Sequence, residues 1–511
     1  MASTFFGLTI AYSGLQAANT SLTITGHNVS NINTKGYTRQ QAGTQAADAL
    51  RTHTTYGAIG SGVVVTEISQ IRDSYYDVKY RNNMANYGQY SVKESYMGQI
   101  EDYLDEFTLN GYSQEYKNFF SAVNQLTITP GDTSAKNQLI NNAKSLADYF
   151  NTLTTNLRNV QADANNEIKD AVQQINSYAK NIAALNRQIN QIEANYGNAN
   201  DLRDKRNAMI DELSEIVNLE TSEEDMGNNV SNFSVRINGQ TLVSSYSYNT
   251  LETVARTDKK NYSDAEGLYD VQWNSGQKFD MYSTSLSGHL KGLIDIRDGN
   301  NGEHENIETD DDGNNVTDSD GNLVLTTAPA ADKTVSYKGV PYYQAQLNEF
   351  AKIFSDAVNK IMKSGYTSDG SSKGISLFVT QPNITVNPEL LKNADLLAIK
   401  KEQNDGESDA QIMEELNKLQ SEKIFAGGTG SYFLESIVSD MSIDSQKAVN
   451  LYKNYTDLKT SIHNQRLSIM GVDTDEEAMD MIKYQQAYNL NSKMMSVMNQ
   501  IYDKLINQTG I

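Results

Sequence analysis

No cysteine occurs among the 511 residues, which excludes disulfides and thiolate metal sites and points to the cytosol or to an export route indifferent to redox state. No apolar run is long enough to cross a bilayer, and the first thirty residues show neither a basic opening nor a continuous apolar block. Neither a membrane span nor a conventional secretory signal is expected. Positive charge is scarce: 42 Lys and Arg face 64 Asp and Glu, a formal net charge of -22. Because the acid is not confined to one tail, nucleic acid and anionic membrane surfaces are poor partners. Hydrophobic residues make up only 38% of the chain and the mean hydropathy is negative, which suits long solvated helices and shared interfaces better than one thick core. At this length several domains are expected, with helical bundles favoured.

What the chain does have is a matching apolar stripe at each end. Phe5, Leu8, Tyr12, Leu15, Asn19, Leu22 and Val29 follow a three-and-four spacing, as do Met481, Tyr484, Tyr488, Asn491, Met495, Met498, Tyr502 and Leu505. Pairing them would make a two-helix stem from which the rest of the chain is one long excursion. Antiparallel pairing would bring both termini to one inner end, and neighbouring subunits of a tube would then cover Ala487, Leu490, Met494, Val497 and Ile501. Thr474 and Glu477 fit an S/T-x-x-E capping box, with Asp475 and Glu476 adding charge to the first turn. Asn19 and Asn491 interrupt the stripes, either as a buried pair that fixes register or as groups facing solvent.

Between the ends, residues 71 to 217 read as helical, most clearly along Ile168, Val172, Ile175, Ala179, Ile182, Leu185, Ile189 and Ile192. After Val217 the pattern alternates, and Asn238-Gly239 separates two such runs as a hairpin turn would. Residues 299 to 333 hold nine Asp or Glu against one Lys and read as an exposed insertion. Helical spacing returns at Leu347, Phe350, Phe354, Val358 and Ile361. A second mixed region runs from about 366 to 435. The expected class is α+β and multidomain: 1–50 and 471–511 as a coiled-coil stem; 51–217, 340–365 and 436–470 as a helical bundle; 218–298 and 366–435 as a β-rich outer domain; and 299–339 as an acidic insertion.

Catalytic and metal signals are thin. Gly370 to Gly374 satisfies G-x-S-x-G, but its flanks describe a polar turn entering a strand rather than a strand-to-helix elbow. His304-Glu305 opens like a zinc-protease motif, yet Glu308 stands where the second histidine belongs. The acids from Asp310 to Asp320 sit beside turns, but a calcium loop opening at Glu308 would close on Ser319 instead of a bidentate Glu. The glycines from Gly57 to Gly62 lack the helix that a dinucleotide site requires. The remaining histidines, His27, His53, His289 and His463, are scattered. No catalytic residue, cofactor or metal site is assigned, and an enzyme is not expected.

The segment LTIAYSGLQAANTSLTITGHNVSNINTKGYTRQ (Leu8 to Gln40), with Asn28, Asn31, Asn33 and the Gly36-Tyr37 pair, resembles the N-terminal signature of bacterial flagellar rod, hook and hook-associated proteins. DLRDKRNAMIDELSEIVNLE (Asp201 to Glu220), GHLKGLIDIRD (Gly288 to Asp298) and the ending from Gly471 to Ile506 are similar to one branch, the FlgK family of hook-associated proteins. Lys35 stands where that family often has proline, and the acidic island separates segments that the family joins more directly. The resemblance implies a structural subunit exported through the flagellar type III apparatus to the outside of the cell and placed at the hook-filament junction. It also implies self-assembly into a ring or tube, contact with hook protein, a second junction protein and the flagellin filament, and a cytosolic export chaperone on the C-terminal helix. Another axial flagellar protein, or an adhesin displayed on the flagellum, is the alternative. The stripe residues Phe5, Leu8, Tyr12, Leu15, Asn19, Leu22, Val29, Tyr484, Tyr488, Asn491, Met495, Met498, Tyr502 and Leu505 are the expected subunit contacts.

Overall fold

The structure is a computed structural model that describes residues 6–51, 58–104, 111–308, 316–317, 324–329, 335–380, 383–406 and 408–507. The chain opens with helix α1 (Phe6–Ser30), then β1 (Gln40–Ala46), β2 (Leu50–Arg51), β3 (Ala58–Ile59) and β4 (Val63–Gln70). β1 pairs antiparallel with β4, and β2 with β3, forming one long hairpin. Four helices follow: α2 (Ser74–Leu104), α3 (Tyr112–Ile128), α4 (Thr133–Glu193) and α5 (Asn200–Ile216). At 61 residues α4 is the spine of the molecule, about 90 Å long at the α-helical rise. It starts where the Asp132 carboxylate accepts from the Ser134 amide at 2.8 Å, satisfying an amide that the helix itself leaves unpaired. Its buried face includes Ile168, Val172, Ile175, Ala179, Ile182 and Ile189, and the stripe runs out at Ile192, which is exposed.

β5 (Leu219–Asp225), β6 (Ser231–Ile237), β7 (Gln240–Ser244) and β8 (Ser247–Tyr248) form an antiparallel meander, followed by the pair β9 (Leu251–Ala255) and β10 (Tyr269–Trp273). Asn238 and Gly239 turn β6 into β7, both at positive φ (47° and 76°), as a two-residue hairpin loop matched to strand twist requires. Alternation buries Phe233, Val235 and Ile237 toward the helices. Asparagines on α4 fix the strands: Asn190 Nδ2 donates to Ser231 O at 2.7 Å, and Asn176 both donates to Leu251 O and accepts from Leu251 N at 2.8 Å. The sheet therefore lies along the spine rather than apart from it.

Helix α6 (His289–Asp298) returns the chain to the bundle, crossing α2 where Gly292 leaves no room for a side chain: a Cβ there would lie 2.7 Å from Gln89 O. β11 (Glu303–Ile307) and β12 (Leu325–Pro329) then pair, so His304-Glu305 sits on a strand. The acids Asp310, Asp311, Asp312, Asp318 and Asp320 lie outside the described residues. Helix α7 (Val340–Ser364) buries Leu347, Phe350, Phe354 and Val358, with Met362 closing the stripe and Ile361 only half-buried.

The next segment carries β13 (Tyr366–Thr367), β14 (Phe378–Val379), β15 (Thr385–Val386), α8 (Pro388–Lys392), β16 (Ala398–Lys400) and α9 (Gln411–Leu419). Among the described residues its strands pair only among themselves, β13 with β16 and β14 with β15. Among the described residues, 366–435 thus share no sheet with 218–298, although the two were expected to form one β-rich outer domain. The reason is aromatic: Phe378, Phe425 and Phe433 join Tyr116, Phe119, Phe120, Phe350 and Phe354, with Phe350 and Phe425 stacked at 4.8 Å, and that cluster binds the segment to the helices. Gly370 to Gly374 forms a tight turn, Gly370 at φ 71°, that bridges back to Tyr366 and no helix follows it. The chain ends with α10 (Gly430–Met470), which packs against α2, and α11 (Thr474–Asn507), which packs against α1.

Candidate assembly interface

Helices α1 and α11 run antiparallel along the described length of α1. Gly7 faces Met498, Gly14 faces Asn491, and Asn28 bonds Glu477, so equal steps along one helix match equal steps back along the other. On α1 the seam is small: Gly7, Ala11, Gly14, Ala18, Ser21, Thr25 and Asn28 recur at three and four, and Ala11, Ala18, Ser21, Thr25 and Asn28 are buried. On α11 the facing positions Tyr484, Tyr488, Asn491, Met495 and Met498 are half-buried, and Tyr502, past the described start of α1, is half-buried too. Large side chains on one helix against small ones on the other let the backbones approach closely, as ridges into grooves require.

This is a shift of one position from the stripe expected on α1. Leu8, Leu15 and Leu22 are half-buried beside the seam, Tyr12, Asn19 and Val29 are exposed, and Phe5 lies outside the described residues. Asn19 and Asn491 do not meet. Asn491 sits over Gly14 and donates to Ala487 O at 2.9 Å, whereas Asn19 faces solvent. On α11, Met481 and Leu505 also face outward. Separately, Leu490, Met494, Val497 and Ile501 form an apolar face that is exposed among the described residues, with Leu490 66% and Val497 52% exposed. Only Glu477 of that helix is buried.

A third element straps the stem. The β1–β4 hairpin lies on α1, with Val63 N donating to Ser13 Oγ at 3.2 Å and Gly62, at φ 108°, pressed against Ile10 and Ser13. At the base, Asn28 uses its full bonding capacity: its amide donates to Gln40 O and Glu477, and its carbonyl accepts from Gln40 N and the Tyr37 hydroxyl. Burial, then the carboxylates of Asp201, Asp204 and Glu477, raise the Tyr37 pKa and keep the phenol a donor. Burial opposes the charge on Arg39, but its bonds to Glu477 and Glu476 outweigh that cost and raise its pKa. The α11 cap is Asp473, which accepts from Asp475 N at 2.8 Å and Glu476 N at 3.3 Å. Thr474 therefore does not make the capping box read from sequence, because Glu477 is taken up by Asn28 and Arg39, the latter at 2.7 Å.

Sequence reasoning missed Arg39, Asp473, the bonds of Glu477 to Asn28 and Arg39, and the small seam. The seam signal was present, since Gly7, Ala11, Gly14 and Ala18 hold the same spacing as the leucines, one residue earlier.

Two family models match the chain. That of the flagellar hook-associated protein FlgK helical domain covers residues 97–378, and that of the flagellar basal body rod FlgEFG protein C-terminal covers 463–508. The chain belongs to the FlgK family of flagellar hook-associated proteins. It is 27% identical over 540 residues to flagellar hook-associated protein 1 of Bacillus subtilis (strain 168), spanning 100% of this chain and 99% of that one. The same identity relates it to the namesake protein of Salmonella typhimurium, over 97% of this chain and 98% of that one. Among solved structures, the flagellar hook junction protein FlgK from Burkholderia pseudomallei aligns over 59% of this chain and 46% of its own, with 22% identity and a TM-score of 0.45.

The sequence blocks that carried the resemblance fall at structural crossings. Asp201 to Glu220 is α5 and the start of β5, where Arg203 binds Glu193 at 2.7 Å and Arg206 binds Glu223 at 3.1 Å. Gly288 to Asp298 is α6: Gly288 has φ 106° and abuts Ile216 O, while Arg297 and Arg256 enclose Asp298. Lys35 lies in the turn after α1 and pairs with Glu212 at 3.3 Å.

Proposed function

We propose that this FlgK-family chain is the adaptor that joins hook to filament, assembling as a ring or tube outside the cell after export through the flagellar type III apparatus. The observation that carries the reading is the uncovered apolar face of α11, flanked by the leucines of α1. Such a face is unfavourable in water in proportion to its area and calls for a covering surface. Neighbouring copies supply it, through Leu8, Tyr12, Leu15, Leu22 and Val29 on one helix and Leu490, Met494, Val497 and Ile501 on the other. The body faces outward, and the stem ends meet hook protein on one side and the second junction protein and filament on the other. Before export the same face needs a cytosolic chaperone over residues 474–511.

Electron microscopy of cells deleted for this chain tests the placement. Complete hooks without filaments support it. Missing hooks would move the chain to the hook or rod and overturn it.

A further inference from the structure

Among the described residues, the stem and the body do not share an apolar core. The contiguous core runs from Val92 to Ala448 and contains no residue of α1 or α11; the buried Ala11, Ala17, Ala18 and Ile24 lie apart from it. Covalently, the chain passes between stem and body at residues 71–73 and 471–473. Arg39 lies between these passages and ties both: its amide donates to Met470 O at 2.9 Å, and its carbonyl accepts from Ile71 N at 2.8 Å. Its guanidinium then holds the first turn of α11 through Glu476 and Glu477.

Among the described residues, the other hydrogen bonds and ion pairs between stem and body come from α5 and the loop just before it. Thr38 gives both its amide (2.9 Å) and its hydroxyl (2.6 Å) to Asp204. Gln40 Nε2 donates to Asp201 at 3.0 Å, and Asn198 and Asn200 donate to Ile68 O at 2.7 and 2.9 Å. Gln70 Nε2 returns a bond to Asn200 O at 3.2 Å. Gly36, at φ 81°, rests on Ala208 without a side chain of its own. Behind this layer Arg72 bonds Asp77 and Asp204, and Arg466 bonds Asp77 and Asp211.

We infer that this layer is a releasable lock on a hinge, with residues 71–73 and 471–473 as the paired straps, Arg39 as the pin, and the Thr38–Asp204 and Gln40–Asp201 contacts as the catch. The physical ground is asymmetry of cost. Parting an apolar seam exposes area to water with nothing in return, whereas parting amides and carboxylates exchanges each protein bond for a water bond. The stem therefore changes its angle to the body with both cores intact, while the α1–α11 seam stays closed. This goes beyond the junction reading, since it concerns the chain alone and holds whatever the stem assembles with.

The absence of cysteine makes the test direct. In the purified full chain, spin labels at Ser492→Cys on α11 and Gln173→Cys on α4 report stem against body; labels at Asn19→Cys and Ser492→Cys report the seam. Expected are narrow distance distributions for both pairs in the parent chain. Asp204→Ala, or Gln40→Ala should the first variant lose its helical circular dichroism, then broadens the stem-body distribution at least twofold and leaves the seam distribution unchanged. Unchanged stem-body width in the folded variants, broadening of both pairs together, or a parent chain already as broad as the variants each overturns the lock.

Discussion

Placing the stem seam on small residues makes Gly14 more sensitive to bulk than Leu15, the opposite of what the leucine stripe alone would indicate. A Cβ on Gly14 would lie 2.7 to 2.9 Å from the side-chain amide of Asn491. That amide is the mobile end of a side chain, so Gly14→Ala can be absorbed by turning Asn491 away from Ala487 O. The lost hydrogen bond costs about 1 kcal/mol, and replacing a helical glycine by alanine returns about 1 kcal/mol; the net change is near zero. Gly14→Leu has no such escape, because the longer chain must enter the space held by α11. Overpacking of this kind costs about 1–3 kcal/mol, about a 5- to 150-fold loss in the equilibrium for closing the stem. In cells carrying each variant as the sole copy, filaments counted by electron microscopy should be normal for Gly14→Ala and strongly reduced for Gly14→Leu. The amount exported into the medium serves as the control. Full filaments with Gly14→Leu would mean that α1 does not present this face to α11, and the seam as described would be wrong.

Three further outcomes follow from other parts of the molecule. Asp298 is buried between Arg297 and Arg256, and although burial alone would raise its pKa, the two guanidinium groups hold it well below the usual carboxylate range; Asp298→Asn should cost about 3–5 kcal/mol by stranding buried charge. Because the folded-state pKa is depressed, the stabilisation from Asp298 is complete above the ordinary carboxylate value of about 3.9 and is lost as pH falls through the lower folded value. Denaturant titrations should therefore show the gap between parent and variant closing only below about pH 4, and a pH-independent gap down to pH 2 would contradict the assignment. Gly88 lets α2 touch α5, where a Cβ would fall 2.1 Å from Glu215 O; Gly88→Ala should lower body stability by about 3 kcal/mol, and an unchanged denaturation midpoint would show that the crossing is looser than described. Deleting 474–511 should abolish chaperone binding while leaving the β5–β8 sheet folded, and equal chaperone affinity for the truncated chain would refute a chaperone site there.

Periodicity made the long elements legible, because a stripe repeated over many turns averages out local exceptions. The α4 spine, the α7 stripe and the Asn238-Gly239 turn could all be read that way. It misled where two stripes competed. On α1 the leucine set and the glycine-alanine set share one spacing, and hydrophobicity favours the first while close backbone approach favours the second; antiparallel contact with Tyr and Met on α11 selects the small set. Residues 366–435 were misleading for a different reason. The mixed pattern there was grouped with the outer β region, but Phe378, Phe425 and Phe433 have partners at Phe350 and Phe354 that are distant in sequence, and no local pattern reports them. Arg39 was invisible for the same cause, since its contacts span more than four hundred residues to Glu476 and Glu477.

The division of forces across the chain bears on why such a protein is built from its two ends inward. Within the body, mutual burial of aromatic and aliphatic side chains fixes a shape that does not depend on neighbours. In the stem, one face of α11 is satisfied by α1, and the face of Leu490, Met494, Val497 and Ile501 is exposed; if copies cover it, as proposed, the stem's full stability is realised only among them. If the two units were fused through a common apolar core, any adjustment of the stem to its surroundings would have to strain the body, because close-packed interiors transmit displacement. A polar layer at Asp204, Asp201 and Asn200 removes that coupling while still specifying a preferred angle. An adaptor between two differently packed tubes needs that combination: ends that conform to their neighbours, and a middle that keeps its own form.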